Sequence, residues 1–599
     1  MNKLPPQPRS IALAPHTPVP ERIDTVKAGT EYAVHSPTRL RTVIRNRSWP
    51  RSAALAVAII CLSPFTFGCG ESSKKSATPL SASESASSSD SAVSKKNTTA
   101  PPDASCPETA VHRGAFPNVR APHNTAAYWQ NRWSSEALDT PLLTTEDIRA
   151  HNRAVGHSGQ PPVSQWDLLT PMPQTVLEAE LKQRLSAMVE AVKSNTYVTD
   201  TGSPLPPPDI RYISRESGQL RRAPQPSLWF TAIQPILMRC APYNGALFTA
   251  DTDRAFDKNA CSTIQNQEPF EVLGQWRNGM LFVRTRYAFG FIPPDSPHSP
   301  DVPTNHRQTY MNGQMAFIPD AITVACENET VPILARTIVP LRSSDSLLLA
   351  HASGFCSAPI PKGAVLTARP LTRRAFYQTA FQYLGADYGY GGSENGLDCS
   401  RFVMNVLSTF QLAMPRNSKH QSMAGAFSID VGQIRDPAQK LKYLNLASQR
   451  GIVAIYFPGH IMFYLGETEA GVPMAIHALG EYAKPCNGAS GAETVFRVKK
   501  VVVTDLSCGL GSSRRSFLER ATRIVVFGAN PGDALQSIVT HRAAESPVLP
   551  AAENCEDTVE RRIFQSPRRL ITDEPARLIA TTATDPGRAT LRIYDPSGR

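Results

Sequence analysis

Residues 372–410, TRRAFYQTAFQYLGADYGYGGSENGLDCSRFVMNVLSTF, decide the fold class of the C-terminal half of this 599-residue chain. Apolar side chains recur at helical spacing after Thr372, a residue type that caps helix N-termini. A loop rich in glycine and tyrosine follows, and a second amphipathic helix begins after Asp398. The pattern predicts two helices joined by this loop, with Cys399 in the first turn of the second helix.

Short apolar segments that follow Pro415 predict strands, because they are rich in β-branched and aromatic residues. They cover residues 452–457, 461–465, 474–478, 495–503 and 524–527. Helices followed by an antiparallel sheet are typical of an α+β domain, which we place at residues 372–531.

Cys399 is the candidate nucleophile of this domain. It follows Asp398, a strong N-cap residue, so its sulfur is expected near unpaired backbone N–H groups and the positive end of the helix dipole. That position stabilises a thiolate and predicts a lowered pKa. Taken alone, Cys399 could equally be a buried or disulfide-bonded cysteine.

His460 and His477 lie on two successive predicted strands. If these strands form a hairpin around residues 467–471, the two histidines are expected directly opposite each other on one face. His460 could then deprotonate Cys399 while His477 holds the His460 ring in the useful tautomer. A slip of one residue would place them on opposite faces, and each alone could be an ordinary core or surface histidine.

Five short motifs together resemble those of the NlpC-type cell-wall peptidases, which are papain-like cysteine hydrolases of bacterial peptidoglycan. The motifs are YGYGG at 388–392, DCS at 398–400, MPRNSKHQ at 414–421, GH at 459–460 and IH at 476–477. The resemblance implies a papain-like fold and cleavage of the γ-D-glutamyl–diaminopimelate bond of murein stem peptides. It implies no metal and no cofactor.

The resemblance also implies a role for each matching residue. Cys399 would be the nucleophile, His460 the general base and acid, and His477 the third polar residue. Tyr388 would stand beside the thiol and help the oxyanion, although it could equally be a packing residue of the loop.

Other positions of the resemblance concern substrate binding. Asp398 and Ser400 match positions that line the N-terminal side of the substrate, and Asn417 and Ser418 follow in the next motif. Peptide-recycling members carry an aspartate at the position of Asn417, so a strict preference for free stem peptides is not expected. Two further departures are Tyr390, where tryptophan is usual, and Arg401, where glycine is common.

The region before residue 372 is expected to hold three further domains. Residues 174–194 show the strongest helical pattern of the chain, within a helical segment at 105–208. Two successive sets of short β-like segments follow, at 209–300 and 301–371. A helical clip followed by two SH3-like barrels is similar to a multidomain subgroup of the same peptidases.

The N-terminus resembles an export signal. Arginines precede an apolar stretch at 53–62, and Gly68 stands before Cys69, as at a bacterial lipoprotein cleavage site. We expect a leader at 1–68, lipidation of Cys69, a flexible tether at 69–104 and a poorly ordered tail at 532–599. The protein would be exported and lipid-anchored in the cell envelope, facing the periplasm; an ordinary signal peptide is the alternative.

Eleven cysteines fit an exported protein. Proximity in sequence suggests that Cys240 pairs with Cys261, Cys326 with Cys356 and Cys486 with Cys508, which leaves Cys106 and Cys555. No cysteine spacing typical of a zinc site is present.

The net charge of +11 is concentrated in the leader, and no basic stripe with interleaved aromatic residues predicts a nucleic-acid partner. Two rival functions stay open. The chain could be a catalytically retired, wall-binding lipoprotein, or a papain-like amidase or acyltransferase.

Overall fold

The computed structural model describes residues 106–156, 166–214, 220–223, 227–250, 254–326, 329–486, 492–528, 531–541, 577–582 and 589–594. The predicted leader, the tether, Cys69, Cys555 and most of the predicted tail lie outside the described residues. None of the helices in the described part combines the length and the apolar composition that a transmembrane span requires.

Helices are labelled in chain order. They are α1 (Ala126–Gln130), α2 (Ser135–Asp139), α3 (Thr145–Gly156), α4 (Gln174–Lys193), α5 (Pro207–Ile213), α6 (Thr304–Asn312), α7 (Arg373–Phe381), α8 (Cys399–Ser408), α9 (Ser418–Gln421), α10 (Pro437–Ser448), α11 (Phe517–Arg520) and α12 (Asp533–Gln536), with short 3₁₀ helices at Ala121–Asn124 and Tyr390–Asn395.

Strands are labelled in the same way. They are β1 (Thr109–Val111), β2 (Tyr197–Val198), β3 (Arg221–Arg222), β4 (Trp229–Thr231), β5 (Ile236–Arg239), β6 (Phe248–Thr249), β7 (Ala260–Ile264), β8 (Pro269–Gln275), β9 (Leu281–Arg284), β10 (Phe289–Ile292), β11 (Met315–Ile318), β12 (Ile322–Cys326), β13 (Glu329–Ile333), β14 (Thr337–Pro340), β15 (Ser346–His351), β16 (Gly354–Pro359), β17 (Val365–Leu366), β18 (Phe427–Asp430), β19 (Gly451–Phe457), β20 (His460–Glu467), β21 (Pro473–Pro485), β22 (Glu493–Asp505), β23 (Arg523–Gly528), β24 (Val539–His541), β25 (Arg577–Thr582) and β26 (Ala589–Tyr594).

The largest sheet has eight strands in the order β1-β22-β21-β20-β19-β23-β18-β24. Strand β1 pairs with β22 in parallel, and the other pairs are antiparallel. Helices α7 and α8 pack into the same hydrophobic core as this sheet. Two helices followed by an antiparallel sheet are the α+β arrangement that the sequence predicts. The sheet continues past residue 531 to β24, where we expected the tail to begin.

Residues 105–208, expected to be one helical domain, contribute to separate hydrophobic cores. Trp129 and Ile148 belong to the core of the eight-stranded sheet, whereas Leu181 and Leu185 of α4 pack against Phe282 and its neighbours. The physical reason is that short helices such as α1 and α2 cannot bury their apolar side chains against one another.

Two β units precede helix α7. The first contains a seven-stranded antiparallel sheet. Six of its strands follow the order β3-β8-β9-β10-β5-β7, and the seventh, β4, pairs with β8. The second combines the sheet β14-β11-β17 with the hairpins β12-β13 and β15-β16 around a common core. One predicted disulfide lies in each unit, Cys240 with Cys261 and Cys326 with Cys356, and both are confirmed.

The third predicted disulfide is wrong. Cys486 pairs with Cys106, which lies 380 residues earlier, and Cys508 is a free, buried thiol. Parallel pairing of β1 with β22 brings Cys106 to the end of β21, a long-range contact that sequence spacing does not show.

Candidate active site

Helix α8 begins at Cys399, as predicted. Asp398 has an extended backbone, and its Oδ1 accepts a hydrogen bond of 2.7 Å from the backbone N–H of Arg401. The Cys399 thiol is free, and the residue is 8% exposed. Backbone N–H groups of Ser400 and Ile461 lie at the sulfur, so the thiol stands where α8 meets the start of β20.

The expectation of a lowered pKa for Cys399 is wrong. Burial, with a further contribution from the Asp398 carboxylate, raises the pKa of the thiol to about 12. The backbone N–H groups of Ile461 and Ser400 oppose this shift but do not outweigh it. The position at the helix start therefore supplies hydrogen-bond donors, while the sulfur rests as a neutral thiol.

His460 and His477 lie on the same face of the β20–β21 hairpin, but they are not directly opposite. Phe463 pairs with Ile476, so the same register places the two histidines diagonally, two residues apart. Both side chains still reach each other, and His460 Nε2 lies 2.7 Å from His477 Nδ1.

A β-bulge produces this shared face. Tyr464 pairs with Ala475, whereas Gly466 pairs with Met474, so Leu465 is an extra residue in β20. Without the extra residue, the register set at the turn, where Glu467 pairs with Pro473, would continue along both strands and shift every later pair by one residue. The two histidines would then point to opposite faces of the sheet.

The hydrogen-bonded chain continues from His477 into the sheet. His477 Nε2 lies 3.0 Å from Thr504 Oγ1, and both residues are fully buried. If Thr504 accepts the proton of His477 Nε2, then His477 Nδ1 is an acceptor and His460 Nε2 must donate to it. That assignment leaves the Nδ1 of His460 unprotonated and able to take a proton.

Both histidines are neutral at ordinary pH. Burial and the charge of Arg520 lower the pKa of His460 to about 3, and burial and His460 lower the pKa of His477 well below its usual value. Aromatic rings enclose the pair, since Phe517 stacks at 6.1 Å on His460 and meets His477 edge-on at 5.3 Å. The Cys399 thiol and the His460 imidazole are therefore both uncharged at rest.

Tyr388 lies beside this pair. Burial, followed by the nearby Cys399 sulfur, raises the pKa of Tyr388 well above its usual value, so its hydroxyl keeps the proton. Among the described residues, the Tyr388 hydroxyl has no hydrogen-bond partner and the ring is half-buried. A protonated, unpartnered hydroxyl near the sulfur can donate to a developing negative charge.

Asp398 and Ser400 are held inside the protein by Arg416. The Arg416 guanidinium donates to both carboxylate oxygens of Asp398, at 3.0 and 2.6 Å, and to Ser400 Oγ at 2.9 Å. Burial disfavours the charged form of Asp398, but Arg416 outweighs it and holds the pKa of the carboxyl below its usual value. The chain thus supplies its own partners for both residues.

The first β unit packs directly on the loop that precedes α8. Thr263 Oγ1 donates to the carbonyl of Gly392 at 2.8 Å, and Ser262 Oγ accepts from Arg416 at 2.9 Å. Gly391 and Gly392 have positive φ angles of 61° and 88°, and a Cβ atom on either would overlap strand β7. Glycine is therefore required by this close approach.

The two departures from the family motif lie in the same contact. Arg401 is 2% exposed, and its guanidinium lies over the Tyr287 ring at 4.6 Å and 3.4 Å from Glu268. Tyr390 meets the Phe256 ring edge-on at 5.5 Å. Both side chains thus join α8 and the loop before it to the first β unit.

Asn417 and Ser418 begin the short helix α9. The Asn417 side chain is exposed and caps this helix by accepting from the backbone N–H of Lys419 at 2.8 Å. In the described part of the chain, no cluster of histidine, cysteine and acidic residues could hold a metal ion.

Sequence reasoning missed two contributors to the site. Arg416 lies within a quoted motif but received no role, although an arginine soon after a buried carboxylate is a signal for an ion pair. Thr504 carries no local signal, because its contact with His477 arises from the β21–β22 pairing, in which Ala475 lies opposite Thr504.

Comparisons with family models and with solved structures found proteins similar to this chain. Residues 385–482 match the model of the NlpC/P60 family. No curated protein matches the chain. The chain is similar to the solved structure of an NlpC/P60 endopeptidase from Photobacterium damselae subsp. piscicida, with a TM-score of 0.53 and 16% identity, over 67% of this chain and 97% of that one.

Two further solved structures are less similar. An NlpC/P60 family protein from Bacillus cereus ATCC 10987 has a TM-score of 0.32 and 14% identity, over 45% of this chain and 83% of that one. NlpC2 from Trichomonas vaginalis has a TM-score of 0.22 and 14% identity, over 51% of this chain and 98% of that one. The Photobacterium likeness shows a shared fold.

Proposed function

We propose that this chain, whose residues 385–482 form a domain of the NlpC/P60 family, is a peptidoglycan hydrolase that cleaves the γ-D-glutamyl–diaminopimelate bond of stem peptides. One observation carries the proposal. The free Cys399 thiol at the start of α8 meets the backbone N–H of Ile461, and the preceding residue, His460, begins the hydrogen-bonded chain of His460, His477 and Thr504. This is the arrangement of nucleophile, base and orienting group that acyl transfer requires.

The first half of the reaction forms a thioester. As the Cys399 sulfur attacks the γ-glutamyl carbonyl carbon, its proton passes to Nδ1 of His460. The His460 imidazolium is stabilised by its hydrogen bond to His477, and the carbonyl oxygen, now negative, accepts from Tyr388 or a backbone N–H group at the helix start. When the carbon–nitrogen bond breaks, His460 returns the proton to the leaving amine.

The second half restores the thiol. His460 takes a proton from water, the hydroxide oxygen attacks the thioester carbon, and the carbon–sulfur bond breaks. The proton on His460 returns to the sulfur as the γ-glutamate carboxyl is released. In each half-reaction, one proton passes to Nδ1 of His460 and then leaves it again.

The surroundings of the domain belong to the same proposal. We regard the two β units as SH3-like modules and residues 105–208 as the helical clip, with a lipid on Cys69 holding the exported enzyme at the envelope membrane. Asn417 and Ser418 then line the N-terminal side of the stem peptide, and Asp398 and Ser400, which Arg416 engages inside the protein, hold that side of the site in shape. No metal or cofactor takes part in these steps.

The test is hydrolysis of L-Ala-γ-D-Glu-diaminopimelate by the full chain, with product masses. We expect L-Ala-D-Glu and free diaminopimelate from the unchanged protein, none from Cys399→Ala, and unaltered turnover by Cys508→Ala, the other free thiol among the described residues. Full activity of Cys399→Ala would disprove the scheme.

The same assay separates the rivals. Binding to purified peptidoglycan without release of any fragment would favour the wall-binding lipoprotein. Fragments cut at another amide bond, or acyl transfer to an added amine without hydrolysis, would favour the amidase or acyltransferase.

A further inference from the structure

Arg520 lies beside the candidate general base. It is the last residue of α11, and its guanidinium carbon lies 4.0 Å from the centre of the Phe457 ring. Phe457 is the cross-strand partner of His460, and the two rings are 5.4 Å apart. The guanidinium therefore stands one aromatic ring away from His460.

The Arg520 side chain is half-buried, yet it has no acidic partner among the residues that the structure describes. Within the described part of the chain, no carboxylate lies within ion-pair distance of its guanidinium, whereas Arg514 pairs with Glu481 and Arg523 with Asp430. Burial lowers the pKa of Arg520 most, and the positive charges of Arg514 and Arg515 lower it further. A half-buried cation without a counter-ion favours an anion that arrives from outside.

Glu519, the acid next to Arg520 in the chain, is already engaged. Glu519 closes the capping box of α11, where its carboxylate accepts from the backbone N–H of Ser516 at 2.7 Å and from the Ser516 hydroxyl at 2.6 Å. It therefore leaves the Arg520 guanidinium uncompensated.

The segment that carries Arg520 is held firmly in place. Lys440 Nζ, itself buried, donates to the backbone carbonyls of Glu519 and Ala521 at 2.8 and 2.7 Å. Phe517, at the start of the same helix, is buried against the rings of His460 and His477. The guanidinium is thus positioned relative to the acid–base pair before any ligand binds.

The leaving group must occupy this neighbourhood. His460 can protonate the leaving amine only within hydrogen-bond reach, so the residue that carries this amine lies around His460. In the proposed substrate this residue is diaminopimelate, an amino acid with a carboxyl group at each of its two stereocentres.

We propose that Arg520 determines specificity on the leaving-group side by binding a free carboxylate of the departing diamino acid. This inference rests on the proposed function. A guanidinium that forms charge-assisted hydrogen bonds with this carboxylate would favour substrates that carry it over their carboxamide analogues.

The experiment compares L-Ala-γ-D-Glu-diaminopimelate with the same tripeptide in which both diaminopimelate carboxyls are amidated. We expect the unchanged protein to prefer the acid form in kcat/KM by about 10- to 100-fold, the range for a lost charge-assisted hydrogen bond. Arg520→Met should lose this preference, so that the ratio of kcat/KM for the acid and amide substrates falls towards one, whatever its effect on the rate common to both through His460. Arg520→Lys, which keeps the charge without the planar fork, should retain part of it.

Arg515→Met is the matched control, because it removes a neighbouring positive charge from the loop just before α11. It should keep the acid preference. This result would distinguish direct binding by Arg520 from a general attraction of the carboxylate by the positive charges of Arg514, Arg515 and Arg520. An unchanged acid preference in Arg520→Met, or equal rates for both substrates in the unchanged protein, would overturn this inference and leave the proposed function intact. Failure of the unchanged protein to cleave either tripeptide would instead refute the proposed function, and this inference with it.

Discussion

On one side of Cys399 the sheet supplies two neutral histidines and a threonine, whereas on the other side the loops around the start of α8 supply a carboxylate and a guanidinium. The histidine side is joined by single hydrogen bonds between uncharged rings. The helix side is an ion pair in which Arg416 contacts both oxygens of Asp398.

This difference separates two tasks. A proton can move along the histidine side when Thr504 accepts from His477, because burial keeps the imidazoles uncharged and Nδ1 of His460 is then unprotonated. The helix side is already ionised and compensated, so it holds the geometry of the helix start and the first β unit rather than exchanging protons. Changes on the histidine side should therefore affect rate first, and changes on the helix side should affect stability first.

The largest effect is expected from His460→Gln, which keeps a similar size but removes the base and acid. Loss of proton transfer should lower kcat/KM by about 10³-fold or more, equivalent to about 4 kcal/mol of transition-state stabilisation. The measurement is tripeptide hydrolysis, with thermal unfolding as the control. A rate within tenfold of the unchanged protein would show that another group transfers the proton.

The helix side is tested by Arg416→Met. Removing the guanidinium leaves the buried Asp398 carboxylate without its counter-ion, which should cost about 3 kcal/mol in the free energy of unfolding. Chemical denaturation measures this loss. The double variant Arg416→Met with Asp398→Asn should recover part of it, because the uncompensated charge is gone. If the double variant is as unstable as the single one, the ion pair is not what holds this side.

A smaller effect is expected from Thr504→Val, which preserves shape but removes the partner of His477 Nε2. His477 can then adopt the other tautomer, so kcat should fall about tenfold, or about 1.4 kcal/mol, with little change in KM. Thr504→Ser restores the hydroxyl and should restore most of the rate. An equal loss in the serine variant would point to packing instead of the hydrogen bond.

The smallest effect, counted per pH unit, is the pH dependence of the free energy of unfolding. The pKa of His477 is lowered in the folded protein, so below pH 6.5 the unfolded chain binds a proton that the folded chain does not. The free energy of unfolding should therefore fall as the pH decreases below 6.5, by about 1 kcal/mol per pH unit from this residue. His477→Asn should show a shallower dependence in urea titrations, and identical slopes would contradict a buried neutral histidine.

Local patterns predicted much of the catalytic region. The cap at Thr372, the start of α8 at Cys399 and the strands that carry both histidines follow from residue types within a few positions of each other. Two disulfides, each closing a loop of 21 or 30 residues, were also predictable from proximity. The pKa of Cys399 was not, since burial depends on what packs around the helix start.

By itself, the sequence determined which elements form and which of them carry the sulfur and the two imidazoles, because caps, periodicity and turn residues act over a single element. The tertiary structure alone decided that Leu465 bulges, that Thr504 meets His477, that Cys106 joins Cys486 and that the first β unit covers the loop before α8. Each of these depends on the register or packing of segments far apart in the chain. Such contacts follow from the combined burial of many side chains, and no short stretch of sequence encodes that sum.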